Sequence, residues 1–137
     1  MDAKTVLQQG NYSCVASKGV ILFAVRGIGV KPLLAAYESY PNSLHDAFIA
    51  DKVIGKAAAI LVFLGGVREV YGQVMSQAAD QFLTERGVPH SCGQLVPFIE
   101  NRTRNGVCPI EQSVLSVSDP VEGLAAMRAT IAQLMAR

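Results

Sequence analysis

Apolar residues along the chain alternate between helical spacing and short extended runs, and each switch marks an element. DAKTVLQQG near the N-terminus predicts a short amphipathic helix, with Val6 and Leu7 on its apolar side and Gly10 as its stop. YSCVASKGVILFAVRG predicts two strands around a Lys18-Gly19 turn, the second apolar enough to be central in a sheet. GIGVKPLLAAYES then reads as a loop leading into a helix, with Pro32 suited to the first turn. Beyond the turn-rich PNSLHD, the residues Val53, Ala57, Ile60, Leu61 and Leu64 recur at helical spacing and predict a buried helix over 51–64, stopped by Gly65-Gly66. REVYGQVMS is the next strand; SQAADQFLTERG is a helix capped by Ser76 and ended by Gly87; a further strand follows around His90–Val96. The tail is helical over 109–115 and again from Pro120 onward, where Ala125, Ile131 and Leu134 form an apolar side that should pack on the domain or on a partner copy.

Strands separated by helices place the chain in the α/β class, with a mostly parallel section after the initial hairpin. The length of 137 residues fits a single domain spanning 1–137. Charge narrows the partners: 17% of residues are charged and the net charge is +1, which gives no concentrated basic surface for nucleic acid or anionic lipid. Charged residues interrupt the apolar runs too often for a membrane span, and MDAKTVLQQG is not a signal peptide, so a soluble cytoplasmic protein is expected. Cys14, Cys92 and Cys108 are an odd number at unrelated spacings and indicate neither a disulfide framework nor a cysteine zinc knuckle. No metal and no cofactor are expected.

The candidate chemistry lies in two stretches. In NRTRNGVCPIEQSV, Pro109 and Glu111 suit a first helical turn, and Cys108 sits at the junction, where exposed backbone N–H groups would favour a thiolate. Asn101 and Arg102 follow a strand edge, and Arg102, with Arg104 beyond it, has the planar donor set that clamps a carboxylate or phosphate. In the second stretch, Asp51 is able to accept a hydrogen bond from a ligand, and Lys52 and Lys56 to neutralise an anion. Each also has a purely structural reading: Asp51 as a helix cap, the lysines as solvated side chains, Cys108 as a small buried hydrophobe. His45 and His90 have no ligand spacing that connects them. Gly27 and Gly29 do not form a phosphate loop, since the GK[ST] ending and the three-glycine spacing are both missing.

DKVIGKAAA, GGVREVYGQVMS, LVPFIENR and GVCPIE together resemble a family of small bacterial and archaeal proteins designated domain-of-unknown-function family 1893, over about residues 12–114. The resemblance implies a cytidine deaminase-like fold, a three-layer α/β/α sandwich with a mixed central sheet, and implies no reaction. A zinc deaminase holds its metal with one His and two Cys, and a neighbouring Glu moves protons. The corresponding positions here fall near Asp51-Lys52-Val53 and near Ser76 and Ala79, which lack that donor set. The expectation is therefore a metal-free, deaminase-like scaffold that binds a small polar, anionic or nucleotide-like ligand through Asp51, Lys52, Lys56, Ser76, Asn101, Arg102, Cys108 and Glu111. A divergent hydrolase or deaminase with a non-standard site is one alternative. An assembly or interaction protein, including a homo-oligomer, is the other.

Overall fold

The computed structural model describes residues 2–27, 29–39, 42–100, 103 and 106–136. Helix α1, Ala3–Gly10, is opened by Asp2, whose carboxylate accepts from the Thr5 N–H, and closed by Asn11 in the left-handed region. The hairpin follows as β1, Cys14–Ser17, and β2, Ile21–Val25. Helix α2, Lys31–Ser39, leads to β3, Phe48–Ile54, and α3, Lys56–Leu64. The chain continues through β4, Glu69–Ser76; α4, Gln77–Glu85; β5, His90–Val96; α5, Pro109–Val114; and α6, Pro120–Met135.

Among the described residues the strands form one mixed sheet in the order β2-β1-β3-β4-β5. β1 runs antiparallel to both β2 and β3, while β3, β4 and β5 are parallel. Alternation along the strands divides the core between the two faces. Val15, Ala50 and Tyr71 pack against Ala3 and Leu7 of α1. Their sequence neighbours Cys14, Ala16, Ile49 and Val70 point the other way, into the larger core with α3, α4 and α6. Helix α3 is buried from Ala57 to Val62, so its apolar character runs all round, as a helix in the middle of a layer requires.

Three sequence expectations change here. The hairpin's apolar second strand is not central: β2 is an edge, and its first two residues are exposed. The buried helix does not begin at Asp51. Residues 48–54 pair in parallel with β4, from Phe48↔Glu69 to Ile54↔Met75, and helical geometry starts only after Gly55. Val53 happened to fall in phase with the helical residues beyond it, which extended the apparent helix one turn too far. In α6 the apolar stripe is turned relative to the expectation: Ala125 is exposed, and Gly123, Leu124 and Met127 are buried. Gly123 lets α6 approach α3 closely there: a Cβ would come within 2.7 Å of Ile60 Cδ1, so that the end of the Ile60 side chain would have to move. Ile131 packs at the margin of the same core, as expected for an apolar tail helix.

Candidate functional site

The starts of α3 and α4 lie at the carboxyl ends of β3 and β4, the position where open α/β sheets present their binding groups. At α3 the helix-start N–H groups, which no carbonyl within the helix can reach, already have a partner. Glu111, only 5% exposed, accepts from the Lys56 N–H at 2.7 Å through one carboxylate oxygen and from the Ala57 N–H at 2.8 Å through the other. It thereby does for α3 what a bound anion would do. Burial raises the Glu111 carboxyl above its ordinary 4.5, against the pull of those two N–H groups and the Lys56 charge. Gly55 makes this contact possible, since a Cβ at that position would collide with the Glu111 carboxylate.

Lys56 completes a reciprocal arrangement. Its ammonium donates to the Leu115 carbonyl at 3.0 Å and the Val117 carbonyl at 2.7 Å, just past the end of α5. Carbonyls at a helix C-terminus carry partial negative charge and favour a cation. Burial first, and then the nearby Arg86 guanidinium, lower the Lys56 ammonium from its ordinary 10.5. Cys108 is fixed through its backbone, with its N–H on the Ile99 carbonyl at 2.9 Å, and its side chain makes no capping bond to α5. This corrects the expectation that the thiol would meet free helix N–H groups; the thiol instead lines a small cleft of about 50 Å³ with Val53, Gly55 and Glu111.

The other sequence candidates are dispersed. Asp51, on β3, is 5% exposed and sits directly across from Cys14 of β1. Its carboxylate accepts from the Val53 N–H at 3.0 Å, and burial raises it from 3.8 to about 7; bonds from Val53, the Cys14 thiol and the Lys52 N–H oppose that rise. Burial and the Asp51 charge push the Cys14 thiol well above its ordinary value. Lys52 points to the far end of α1, where its ammonium donates to Asn11 Oδ1 at 2.8 Å. Ser76 caps α4, its hydroxyl accepting from the Ala79 N–H at 3.1 Å. Asn101, Arg102 and Arg104 lie outside the described residues. Lys56, Cys108 and Glu111 are thus gathered at the start of α3, whereas Asp51, Lys52 and Ser76 are each engaged elsewhere.

A larger cleft of about 340 Å³ opens beside this junction, lined by Lys56, Gln81, Phe82, Glu85, Arg86 and Ser118 among others. Arg86 lies over the Phe82 ring at 4.1 Å and donates to the Ser118 carbonyl at 2.8 Å, which holds its guanidinium at the wall. Arg86 is not among the residues singled out from the sequence. The available signal was Phe82 and Arg86 at i, i+4 on one helix face, a spacing that lets a cation cover a ring. Among the described residues no three His, Cys, Asp or Glu side chains are grouped so as to hold a metal ion. No helix of the described residues is long and apolar enough to cross a membrane.

The family described as TM1506, domain of unknown function DUF1893, matches residues 2–131. The chain belongs to the DUF1893 family. A solved DUF1893 family protein, TM1506 from Thermotoga maritima, is similar at a TM-score of 0.84 and 26% identity, over 94% of this chain and 85% of that one. No curated protein matches the chain. Of the four segments on which the DUF1893 resemblance rested, DKVIGKAAA and GVCPIE are the two that meet in the Glu111 contact with α3.

Proposed function

We propose that this DUF1893 chain is a single-domain, cytoplasmic binding protein for a small anionic metabolite, built on a cytidine deaminase-like three-layer scaffold without the deaminase metal chemistry. The observation that carries the reading is the approach of two cations, Lys56 and Arg86, to one 340 Å³ cleft that also offers Gln81 and Glu85 as polar partners. That volume falls in the range of small-ligand pockets, about 300–1,000 Å³. The paired charge suits a carboxylate or phosphate, and Glu85 or Gln81 suits a hydroxyl on the same ligand.

The donor set argues against zinc deamination. The first helix entrance is Gly55-Lys56-Ala57 and the second runs from Ser76 to Ala79, so the imidazole, thiolates and proton-carrying carboxylate are all missing from those turns. The carboxylate that meets the first entrance, Glu111, has both oxygens engaged by backbone N–H groups.

Calorimetric titration with inorganic phosphate, citrate and a nucleoside monophosphate tests the proposal. Binding of at least one of them should weaken by about tenfold or more, ~1.4 kcal/mol, in Arg86→Ala. No heat with any of the three, or binding indifferent to Arg86→Ala, overturns it. Ammonia release from a cytosine or adenine nucleoside, measured alongside, would favour the divergent deaminase instead.

A further inference from the structure

The 340 Å³ cleft is not uniformly positive. Beside Lys56 and Arg86 it is lined by Glu85, with Gln81 one turn earlier on α4. The three charges are held apart by their other contacts. The Arg86 guanidinium is drawn to the Phe82 ring at 4.1 Å and the Ser118 carbonyl at 2.8 Å, and the Lys56 ammonium to the Leu115 and Val117 carbonyls. Glu85 pairs with neither cation: among the described residues the ion pairs are His90–Asp80 and Arg128–Glu38. Its carboxylate is met by a neutral group instead, the Gln81 amide, whose Nε2 donates to Oε1 at 3.1 Å. All three charges still act on one space, since burial and then Arg86 lower the Lys56 ammonium while Glu111 and Glu85 oppose that shift.

Glu85 also stands at the unfavourable end of its helix. It is the last residue of α4, which has no basic residue in its last turn. The carbonyl end of a helix carries partial negative charge and favours a cation, so a carboxylate there is destabilising until a positive group joins it. With one oxygen on Gln81, the carboxylate keeps acceptor sites to offer to the cleft. A ligand hydroxyl would supply a donor alone, whereas an ammonium supplies a donor and the charge that both Glu85 and the helix end favour.

We infer that the ligand of this cleft carries a primary ammonium as well as an acid group, the acid on Arg86 and the ammonium on Glu85 at the end of α4. This rests on the anion-binding reading and narrows it to amino-acid-like molecules whose acid is a carboxylate or a phosphate. The Glu85 subsite reverses a simple electrostatic order. Two cations alone would hold a dianion more tightly than its analogue with an added ammonium, and with Glu85 between them and the solvent-facing helix end the analogue binds more tightly.

Calorimetric titration of matched pairs tests it: L-glutamate against glutarate, and phosphoethanolamine against ethyl phosphate, each with the parent and with Glu85→Gln. The expected result is that the ammonium-bearing member of at least one pair binds at least tenfold more tightly, and that this preference disappears in Glu85→Gln, where the amine-free member gains affinity. The pair that responds tells carboxylate from phosphate. Glu85→Ala replaces Glu85→Gln if the latter loses its native circular dichroism. Equal binding within both pairs, or a preference that survives loss of the Glu85 charge, overturns the inference and leaves the anion-binding reading in place. Binding of phosphate or citrate but of neither ammonium-bearing probe does the same, and no binding of any of these probes overturns both.

Discussion

Replacing Asp51 with Asn should change how stability depends on pH more than it changes stability itself. The carboxyl is raised from 3.8 to about 7 in the folded chain, chiefly by burial. A displacement of that size corresponds to about 4 kcal/mol at about 1.4 kcal/mol per pH unit. Below about pH 4 the group is protonated in both folded and unfolded chains, and its contribution to stability is fully present. Between about 4 and 7 only the folded chain holds the proton, so unfolding free energy falls as pH rises; above about 7 both states are ionised and the loss is complete. Asparagine has no proton to lose, so the difference between variant and parent should climb by about 4 kcal/mol from pH 4 to pH 8. The Asn amide N–H would face the Cys14 sulfur, a weak acceptor, and this costs about 1–2 kcal/mol at any pH. The variant should therefore be less stable than the parent at pH 4 and more stable at pH 8. Glu111, also raised by burial, shifts both proteins alike and cancels in the difference. The Cys14 thiol, raised well above its ordinary 9.0, is uncharged throughout this window. Urea unfolding at fixed pH values across the range measures the difference directly. Parallel curves, with a gap constant to within about 1 kcal/mol, would refute the burial argument.

Gly55→Ala and Glu111→Ala should each cost about 2–4 kcal/mol, because either leaves buried α3 N–H groups without their acceptor, and the double variant should cost little more than one alone. Additive losses in thermal unfolding would show that Gly55 and Glu111 do not act through one contact. Truncation from Glu122 onward removes Leu124 and Met127, 8% and 0% exposed, and should abolish cooperative unfolding, since each buried side chain of that size is worth about 2–5 kcal/mol; an unchanged melting curve would reject the role of α6. Elemental analysis after mild dialysis should find zinc well below one per chain. Stoichiometric zinc that is lost with Asp51→Asn or Cys108→Ser would reveal a ligand set that the sequence argument undervalued.

Elements with local punctuation were legible in the sequence. Ser76 and Gly87 bracket α4 as read, with Ser76 on the Ala79 N–H and Gly87 in the left-handed region. Asp119 and Pro120 open α6, and His90–Val96 is the strand expected. The β3–α3 boundary was harder, because a buried parallel strand running straight into a buried helix offers no change in polarity to mark the junction. Asp51 resembled an N-cap in composition, yet Gly55, without a side-chain oxygen, occupies that position, and its capping carboxylate comes from a residue 55 positions or so downstream. Such long-range capping leaves no periodic trace. Glu111 was recognised as a helix-start residue of α5, and nothing local indicated that it serves α3 instead.

The exchange between α3 and α5 bears on how an anion would be bound. Glu111, in the first turn of α5, closes the start of α3, and Lys56, at the start of α3, closes the end of α5. Each helix supplies the charge that the other's terminus favours, so the two contacts hold the same pair of elements and should be lost together. An anion in the 340 Å³ cleft must then compete with the Leu115 and Val117 carbonyls for the Lys56 ammonium, whereas Arg86, held by an aromatic face and one carbonyl, has donors to spare. On the proposed reading Arg86 would accordingly be the primary anion contact, with Lys56 adding long-range charge without leaving its carbonyls. Lys56→Met should then lower stability more than affinity and Arg86→Ala affinity more than stability. The reverse pattern would mean that the ammonium swings into the cleft and that ligand binding loosens α5.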